Sequence, residues 1–356
     1  MLNSIVSRYG LDADECIIKP FGTGLINHTW KIIQNNNEYI LQRINTNVFK
    51  DPIAIVNNIE LIGQHLHGIK DYLFVEPIKT STGDSYLYDK KEGFFRLMPF
   101  VKQSFTYDIV ENPSIAYEAA RQFGLFTKLL SGVDVHQLKI TLPDFHNLSL
   151  RYQQFETALQ NGNKSRMLKA AETIEYIKSQ RNIADTYENI KNNPSFKIRT
   201  IHHDTKISNV LFNHEGKGIC VIDLDTTMPG YFISDVGDMM RTYLSPVSEE
   251  EEDLSKIEIR DDYFTAISKG YLEQMQDELS ADEKDHFAYA GSFMIYMQAL
   301  RFLTDYLNND IYYGARSEHH NLTRANNQVI LLQKFIAKQN MFENKIAALL
   351  QQSLLS

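Results

Sequence analysis

The period of the apolar pattern changes once along this 356-residue chain, and that change limits the folds open to it more than any other feature. Up to about Val101 the apolar residues come in short β-branched and aromatic runs: "CIIKPFG", "HTWKII" and "EYILQRI", then "LFVEPIK", "SYLY" and "GFFRLMPFV". Runs of this length, bounded by Gly, Pro and Asn, predict strands, and Asn35-Asn36-Asn37 predicts the turn joining two of them. One helical pattern lies between, from Asp51 to about Ile69, with Ile55, Ile59, Ile62 and Leu66 on one face. After Val101, spacings of three and four dominate over residues 114–130, 148–159, 164–190, 261–278, 281–307 and 322–349. The expectation is an α+β protein with a small antiparallel-sheet domain over residues 1–100 and a larger, mainly helical domain over 101–356.

One stretch in the helical part departs from that period. "IHHDTKISNVLFNHEGKGICVIDLD", Ile201 to Asp225, reads as a β-hairpin turning at Gly216, with "NVLF" and "ICVID" as its arms. A register centred on Gly216 sets Asn209 opposite Asp223 at the open end, with Asp204 and Lys206 in the loop that enters the hairpin. An amide oxygen and a carboxylate converging there suit Mg²⁺, a hard ion that takes one or two protein oxygens plus substrate phosphate. Asp204 is placed to accept a proton from a hydroxyl nucleophile, and Lys206 to meet a transferring phosphoryl group as a point charge. The alternative is ordinary turn chemistry, with Asp and Asn as turn formers and His202 or His203 structural.

The net charge of −9 argues against a nucleic-acid partner, since no Lys/Arg stripe offers a positive surface. Two cysteines, Cys16 and Cys220, form no disulfide framework or metal spacing, so a cytoplasmic location is expected. No run approaches the roughly 18 apolar residues of a membrane span, and no membrane partner is expected. The acidic run 249–253 reads as a solvated loop or helix start. Nothing in the chain signals an oligomeric state.

"HHDTKISN" resembles the protein-kinase catalytic loop H-R-D-x-K-x-x-N, and "VIDLD" stands where the metal-binding Asp would be. The D-F-G glycine and an A-P-E segment are missing. The form I-D-x-D/E is similar instead to the aminoglycoside phosphotransferase and choline kinase superfamily. Within it, "YILQRINTNVFKDP", "LPDFHNLSLRY", "VIDLDTTMPG" and "RFLTDYLNNDIYY" resemble the N-acetylhexosamine 1-kinases over nearly the whole chain. The resemblance implies a protein-kinase-like bilobal fold, ATP and Mg²⁺ as cofactors, and a sugar acceptor. It implies Asp204 as base, Lys206 on phosphate, Asn209 and Asp223 on the metal, His202 bracing the loop, and Asp235 bonding the loop backbone from a helix.

Nucleotide contacts follow on the same basis. Gly22 and Gly24 in "FGTGLINHTW" stand where a phosphate-covering loop belongs, although a plain turn would look alike. Arg43 takes the place of the strand lysine, and its spacing to Glu60 fits a cross-lobe ion pair, with a solvated strand residue as the alternative. Met98 to Val101 is the expected adenine connector. Arg301, Tyr312 and Thr227 are the expected sugar contacts, while an Arg301–Asp305 intrahelical pair is the competing reading. The rival functions are a kinase of choline, ethanolamine, homoserine or an aminoglycoside, and a non-catalytic nucleotide-binding pseudokinase.

Overall fold

The computed structural model describes residues 2–22 and 26–353, and Gly24 therefore lies outside the described residues. The chain forms two compact units. The first comprises Met1–Thr106, Leu129–Pro143 and Val210–Pro229; the second comprises Tyr107–Lys128, Asp144–Asn209 and Gly230–Ser356.

The first unit is built on a five-stranded antiparallel sheet of β1 (Cys16–Pro20), β2 (His28–Gln34), β3 (Asn37–Arg43), β4 (Leu87–Asp89) and β5 (Gly93–Pro99). Its order is β1-β2-β3-β5-β4. The β2–β3 hairpin turns at Asn35, whose φ of +54° is the left-handed conformation that Asn tolerates best after Gly. On one face Ile32, Leu41, Phe95 and Leu97 bury against Ile5 and Val6 of a short helix, α1 (Leu2–Ser7). That helix is too short to show a period, and the strand-and-helix pattern did not predict it. Helix α2 (Pro52–Leu66) begins at Asp51, whose side chain accepts from the Ala54 N–H, with Pro52 at the first helical position.

"LFVEPIK" forms no strand. Pro77 has no N–H to give a ladder, and the segment is held by a bond from the Ile78 N–H to the Leu97 carbonyl at 2.7 Å. The predicted hairpin forms from Val210–Phe212 and Gly218–Val221 around Gly216, with φ +75°. Its register differs from the expected one. Val210 pairs with Val221 and Leu211 with Cys220, and a shift then sets Phe212 against Gly218, so the ladder runs one residue off the line joining Asn209 to Asp223. Phe105, just beyond β5, is tied to Phe212 by two backbone bonds of 3.0 and 2.9 Å.

The second unit is helical: α3 (Pro113–Leu129), α4 (Leu148–Asn161), α5 (Lys164–Lys169), α6 (Ala171–Ser179), α7 (Asn182–Lys191), α8 (Phe232–Tyr243), α9 (Asp261–Met275), α10 (Ala281–Asp285), α11 (Tyr289–Leu307), α12 (His320–Ile336) and α13 (Gln339–Ser353). Three predicted helices are broken: 164–190 into α5, α6 and α7, 281–307 into α10 and α11, and 322–349 into α12 and α13. The breaks at Ala170, Gln180 and Ala337 carry no Gly or Pro; the backbone closes them with its own N–H to carbonyl bonds. Helix α11 is the core of this unit, packed on α4, α8 and α12. All its 19 residues are buried except Arg301 and Thr304.

No helix among the described residues is long and apolar enough to cross a membrane. The close approach of α8 and α11 depends on Gly237, where a Cβ would run into the Ala290 carbonyl and lie 2.9 Å from the Met294 Cβ. Gly237→Ala is predicted to destabilise the protein by about 1–3 kcal/mol in urea unfolding, because overpacking outweighs the helix-propensity gain. An unchanged or higher midpoint would show that the contact is not tight.

Candidate active site

The strand Arg199–Ile201 delivers the chain to the His202–Asn209 loop. All three of its residues are buried, and Arg199 is anchored by Glu283 at 2.6 and 2.9 Å. Helix α8 then fixes the loop through its polar face. The Asp235 carboxylate accepts from the His202 N–H at 3.1 Å and the His203 N–H at 2.7 Å. Asp238 accepts from the Thr205 N–H at 2.9 Å, the Thr205 hydroxyl donates to the Asp235 carbonyl, and the Tyr243 hydroxyl donates to the Thr205 carbonyl at 2.5 Å.

His203 sits at φ +67°, a conformation that costs energy for a residue with a Cβ. Its ring is confined between His146, 5.3 Å away, and Gly230, where a Cβ would fall 2.5 Å from Nε2. His202 is fully buried, its ring edge-on to Phe123 and Phe126, and its Nδ1 accepts from the Asp204 N–H at 3.3 Å.

Asp204 emerges from this support partly exposed. Its Oδ2 lies 3.0 Å from the Lys206 ammonium and 3.1 Å from the Asn209 amide nitrogen, which also donates to the Asp204 carbonyl at 2.8 Å. Burial opposes its ionisation, but Lys206, His202 and Asn209 together hold the carboxyl below the usual range. The result is an ionised carboxylate beside a cation. Because Asn209 spends its NH₂ on Asp204, its amide oxygen points away from that carboxylate.

In the first unit, Asp223 has φ +61° and leads into the 3-10 turn Leu224–Thr226. Asp225 is buried and paired with Arg96 of β5 at 2.5 Å, and it accepts from the Asn27 side chain at 2.8 Å. Arg96 also donates to Gln42 of β3 at 2.9 Å. Thr227, the expected sugar contact of this unit, is fully buried, and its carbonyl accepts from Asn58 at 3.0 Å.

The expected Arg43–Glu60 pair is not formed. Arg43 lies 3.8 Å from Glu92, while Glu60 is held by Lys79 at 2.5 Å and by Ser85. Strand alternation is the reason: Arg43 shares a face with Leu41, whereas Gln42 shares the opposite face with its pairing partner Arg96. Gly22 ends the described part of its loop with φ +75°, and Met98 is the penultimate residue of β5, with Val101 in the connector beyond it.

In the second unit, Arg301 has no Asp305 partner. The Asp305 carboxylate instead accepts from the Tyr312 and Tyr313 N–H groups at 2.7 and 2.9 Å, which folds the loop after α11 back toward Arg301. Arg301 then meets the Tyr312 hydroxyl at 3.4 Å and lies 5.4–5.8 Å from the rings of Phe145, Tyr312 and Tyr313. The nearby acid Glu249 is engaged by Arg241 at 2.7 Å and by Arg324. His146 is pushed well below its ordinary pKa by burial, and by His203, Arg301, Arg241 and Arg151, which marks this region as cationic.

Residues 17–270 match the model of the phosphotransferase enzyme family, and the chain belongs to that family. It is similar in fold to an aminoglycoside phosphotransferase from Alicyclobacillus acidocaldarius (TM-score 0.62, 11% identity, covering 96% of this chain and 95% of that one). It is also similar to a choline kinase from Cryptosporidium parvum (TM-score 0.57, 14% identity, 98% and 98% covered). A spectinomycin phosphotransferase crystallised with ADP and spectinomycin matches at TM-score 0.56 and 16% identity, with 95% and 98% covered. The fold is thus the α+β, kinase-like one expected, with an antiparallel sheet in the N-terminal part and helices in the C-terminal part.

Arg96, Asp225, Asn27, Asp238 and Tyr243 escaped the sequence reading. The signal for Arg96 was a single charge inside the apolar run "GFFRLMPFV"; that for Asp225 was the second acid of "VIDLD".

Burial raises the Asp235 pKa to about 7; the His203 and His202 N–H groups oppose this, and Asp238 and Asp204 add to it. Its folded value therefore lies above the unfolded value of about 3.9. The stability it contributes is present below about pH 4 and is lost as pH rises through 7. Stability of the wild type relative to Asp235→Asn should therefore fall across that window in urea titrations. Parallel pH profiles would contradict this.

Proposed function

We propose that the protein transfers the γ-phosphoryl group of ATP to the anomeric hydroxyl of an N-acetylhexosamine such as N-acetylglucosamine or N-acetylgalactosamine, giving the sugar 1-phosphate. The observation that carries the reading is the Asp204 carboxylate, part-exposed and held ionised within about 3 Å of Lys206 and Asn209 on a loop pinned from beneath. Asp204 orients the acceptor hydroxyl and takes its proton as the phosphorus–oxygen bond forms. Lys206 offsets charge on the transferring group and is returned to Asp204 when the site empties. Loop rigidity matters because this chemistry depends on position and charge more than on covalent steps.

On the resemblance, the residues that would hold Mg²⁺ are Asn209, through its amide oxygen, and Asp223, through its carboxylate, each a hard oxygen ligand of the kind this ion takes. When bound it would neutralise the nucleotide phosphates. ATP as donor is supported by the family and by fold neighbours crystallised with ADP or AMP-PNP. Gly22, Gly24 and the Met98–Val101 connector are the nucleotide contacts carried over from the resemblance. Arg43 and Glu60 are the other two contacts the resemblance carries over; in this structure they engage Glu92, and Lys79 with Ser85, respectively.

The acceptor class is supported by the segments that resemble N-acetylhexosamine 1-kinases and by the surroundings of Arg301. A sugar needs directional hydrogen bonds and an apolar surface against one ring face; Arg301 with Tyr312 and Phe145 offers both kinds of group. The rival acceptors choline, ethanolamine and aminoglycosides are cationic. They would meet a guanidinium rather than a carboxylate, since Asp305 and Glu249 are committed to internal partners.

Asp204→Asn should lower turnover by about 10²–10⁴-fold while leaving ADP affinity near wild type. The assay is ADP release with N-acetylglucosamine, N-acetylgalactosamine, unmodified hexoses, choline and homoserine. Near-wild-type turnover in the variant would remove Asp204 from the mechanism. Turnover of choline with silence toward both sugars would keep the kinase and overturn the acceptor.

A further inference from the structure

Asp223 is the residue of the first unit on which the proposed metal site depends, and its backbone is in a conformation that must be enforced. A non-glycine residue at φ +61° persists only where the surroundings over-determine it. The four residues after it are held at two points. Asp225, central in the Leu224–Thr226 turn, is gripped by Arg96 and by Asn27. The carbonyl of Thr227 is held by Asn58 of α2, which also bonds both the carbonyl and the N–H of Lys139 at 2.8 Å. Asn27 makes a further link, because its oxygen accepts from the Asn45 N–H at 3.0 Å just beyond β3. The Arg96 guanidinium is only 3% exposed and its fork is divided between Asp225 and Gln42, whose own amide meets Thr29 of β2.

Two features separate this arrangement from ordinary core filling. Burying two opposite charges is costly, and well-packed apolar residues would serve stability as well or better. The pair also stands two residues from Asp223, on the sheet face opposite the one where Arg43 meets Glu92. We propose that Arg96 and Asp225 are positioning residues for the metal: Arg96 consumes the charge of Asp225, so Asp225 does not ligate the ion, and their bond fixes the turn that presents Asp223. The inference rests on the reading of Asp223 as a Mg²⁺ ligand, and it is independent of the acceptor.

The test is ADP binding by calorimetry with and without Mg²⁺, on the full chain. In wild type Mg²⁺ should raise ADP affinity, and Asp223→Asn should abolish that gain. The pair is then replaced by Arg96→Met with Asp225→Asn, which removes both buried charges while leaving an acceptor for Asn27. The Mg²⁺-dependent gain should fall at least about fivefold, with Mg²⁺-free ADP affinity within about twofold of wild type. A gain within about twofold of wild type at an unchanged melting temperature overturns the proposal. If the double variant does not fold, Asn27→Ala decides, since it alters no charge: a gain reduced about threefold or more supports the proposal, and an unchanged gain overturns it. A wild type without any Mg²⁺ effect, or an Asp223→Asn that retains it, overturns the metal reading itself and this inference with it. Loss in Asp223→Asn but retention in the double variant overturns this inference alone.

Discussion

A single buried carboxylate holds the His202–Asn209 loop in shape. Asp235 is fully enclosed, and its two oxygens accept from consecutive N–H groups, those of His202 and His203. Two adjacent amides can point at one carboxylate only if the chain between them bends sharply, and the bend appears as the left-handed φ of His203. Once that bend exists, Asp204 is turned outward while Thr205 is turned back to Asp238 and Tyr243. The alternation of buried anchor and exposed group along the loop comes from α8, not from the loop itself. Burying a carboxylate is expensive unless its hydrogen bonds are complete. The raised pKa of Asp235 records that expense, and the cost is borne where the loop must not move.

Charge is handled differently at each of the other ionic sites. At Asp204 the charge is kept available: the carboxylate is part-exposed, and its partner Lys206 is about half exposed on a flexible stem. At Arg96–Asp225 the charge is enclosed in a close ion pair. Around Arg301 the matching is withheld, since the acids that could neutralise it are occupied elsewhere, and three aromatic rings border the guanidinium. A ligand can profit from the first and third arrangements, whereas the second only holds structure in place.

The parts of this picture that were legible in advance are those carried by local pattern. The strand-to-helix change of period, the turn at Gly216, the helix start at Asp51 and the cluster from His202 to Asn209 all depend on neighbours within a few residues. What escaped was set by distant packing. The helix breaks at Ala170 and Ala337 bear no breaker residue, and α8 carries its aspartates inward, against the usual polarity rule. The Arg43–Glu60 expectation counted residues along the chain, but the face on which a strand residue points is decided by pairing with β5. Asp305 was legible as an i+4 neighbour of Arg301, yet two backbone amides seven and eight residues further on outcompete the guanidinium for it. The hairpin was foreseen and its register was not, because the shift between Leu211 and Phe212 has no sequence mark.

The central claim is that this phosphotransferase acts on an anomeric hydroxyl, and proton-coupled ³¹P NMR of the product together with its acid lability tests it, because only a C1 phosphate combines a doublet with rapid loss in mild acid. A phosphate on C1 has one proton on its carbon, so the account predicts a doublet from N-acetylhexosamine and ATP, with rapid loss of the phosphate in mild acid. A triplet, from phosphate on the CH₂OH carbon, would contradict it, because the hydroxyl presented to Asp204 would then be at the other end of the sugar.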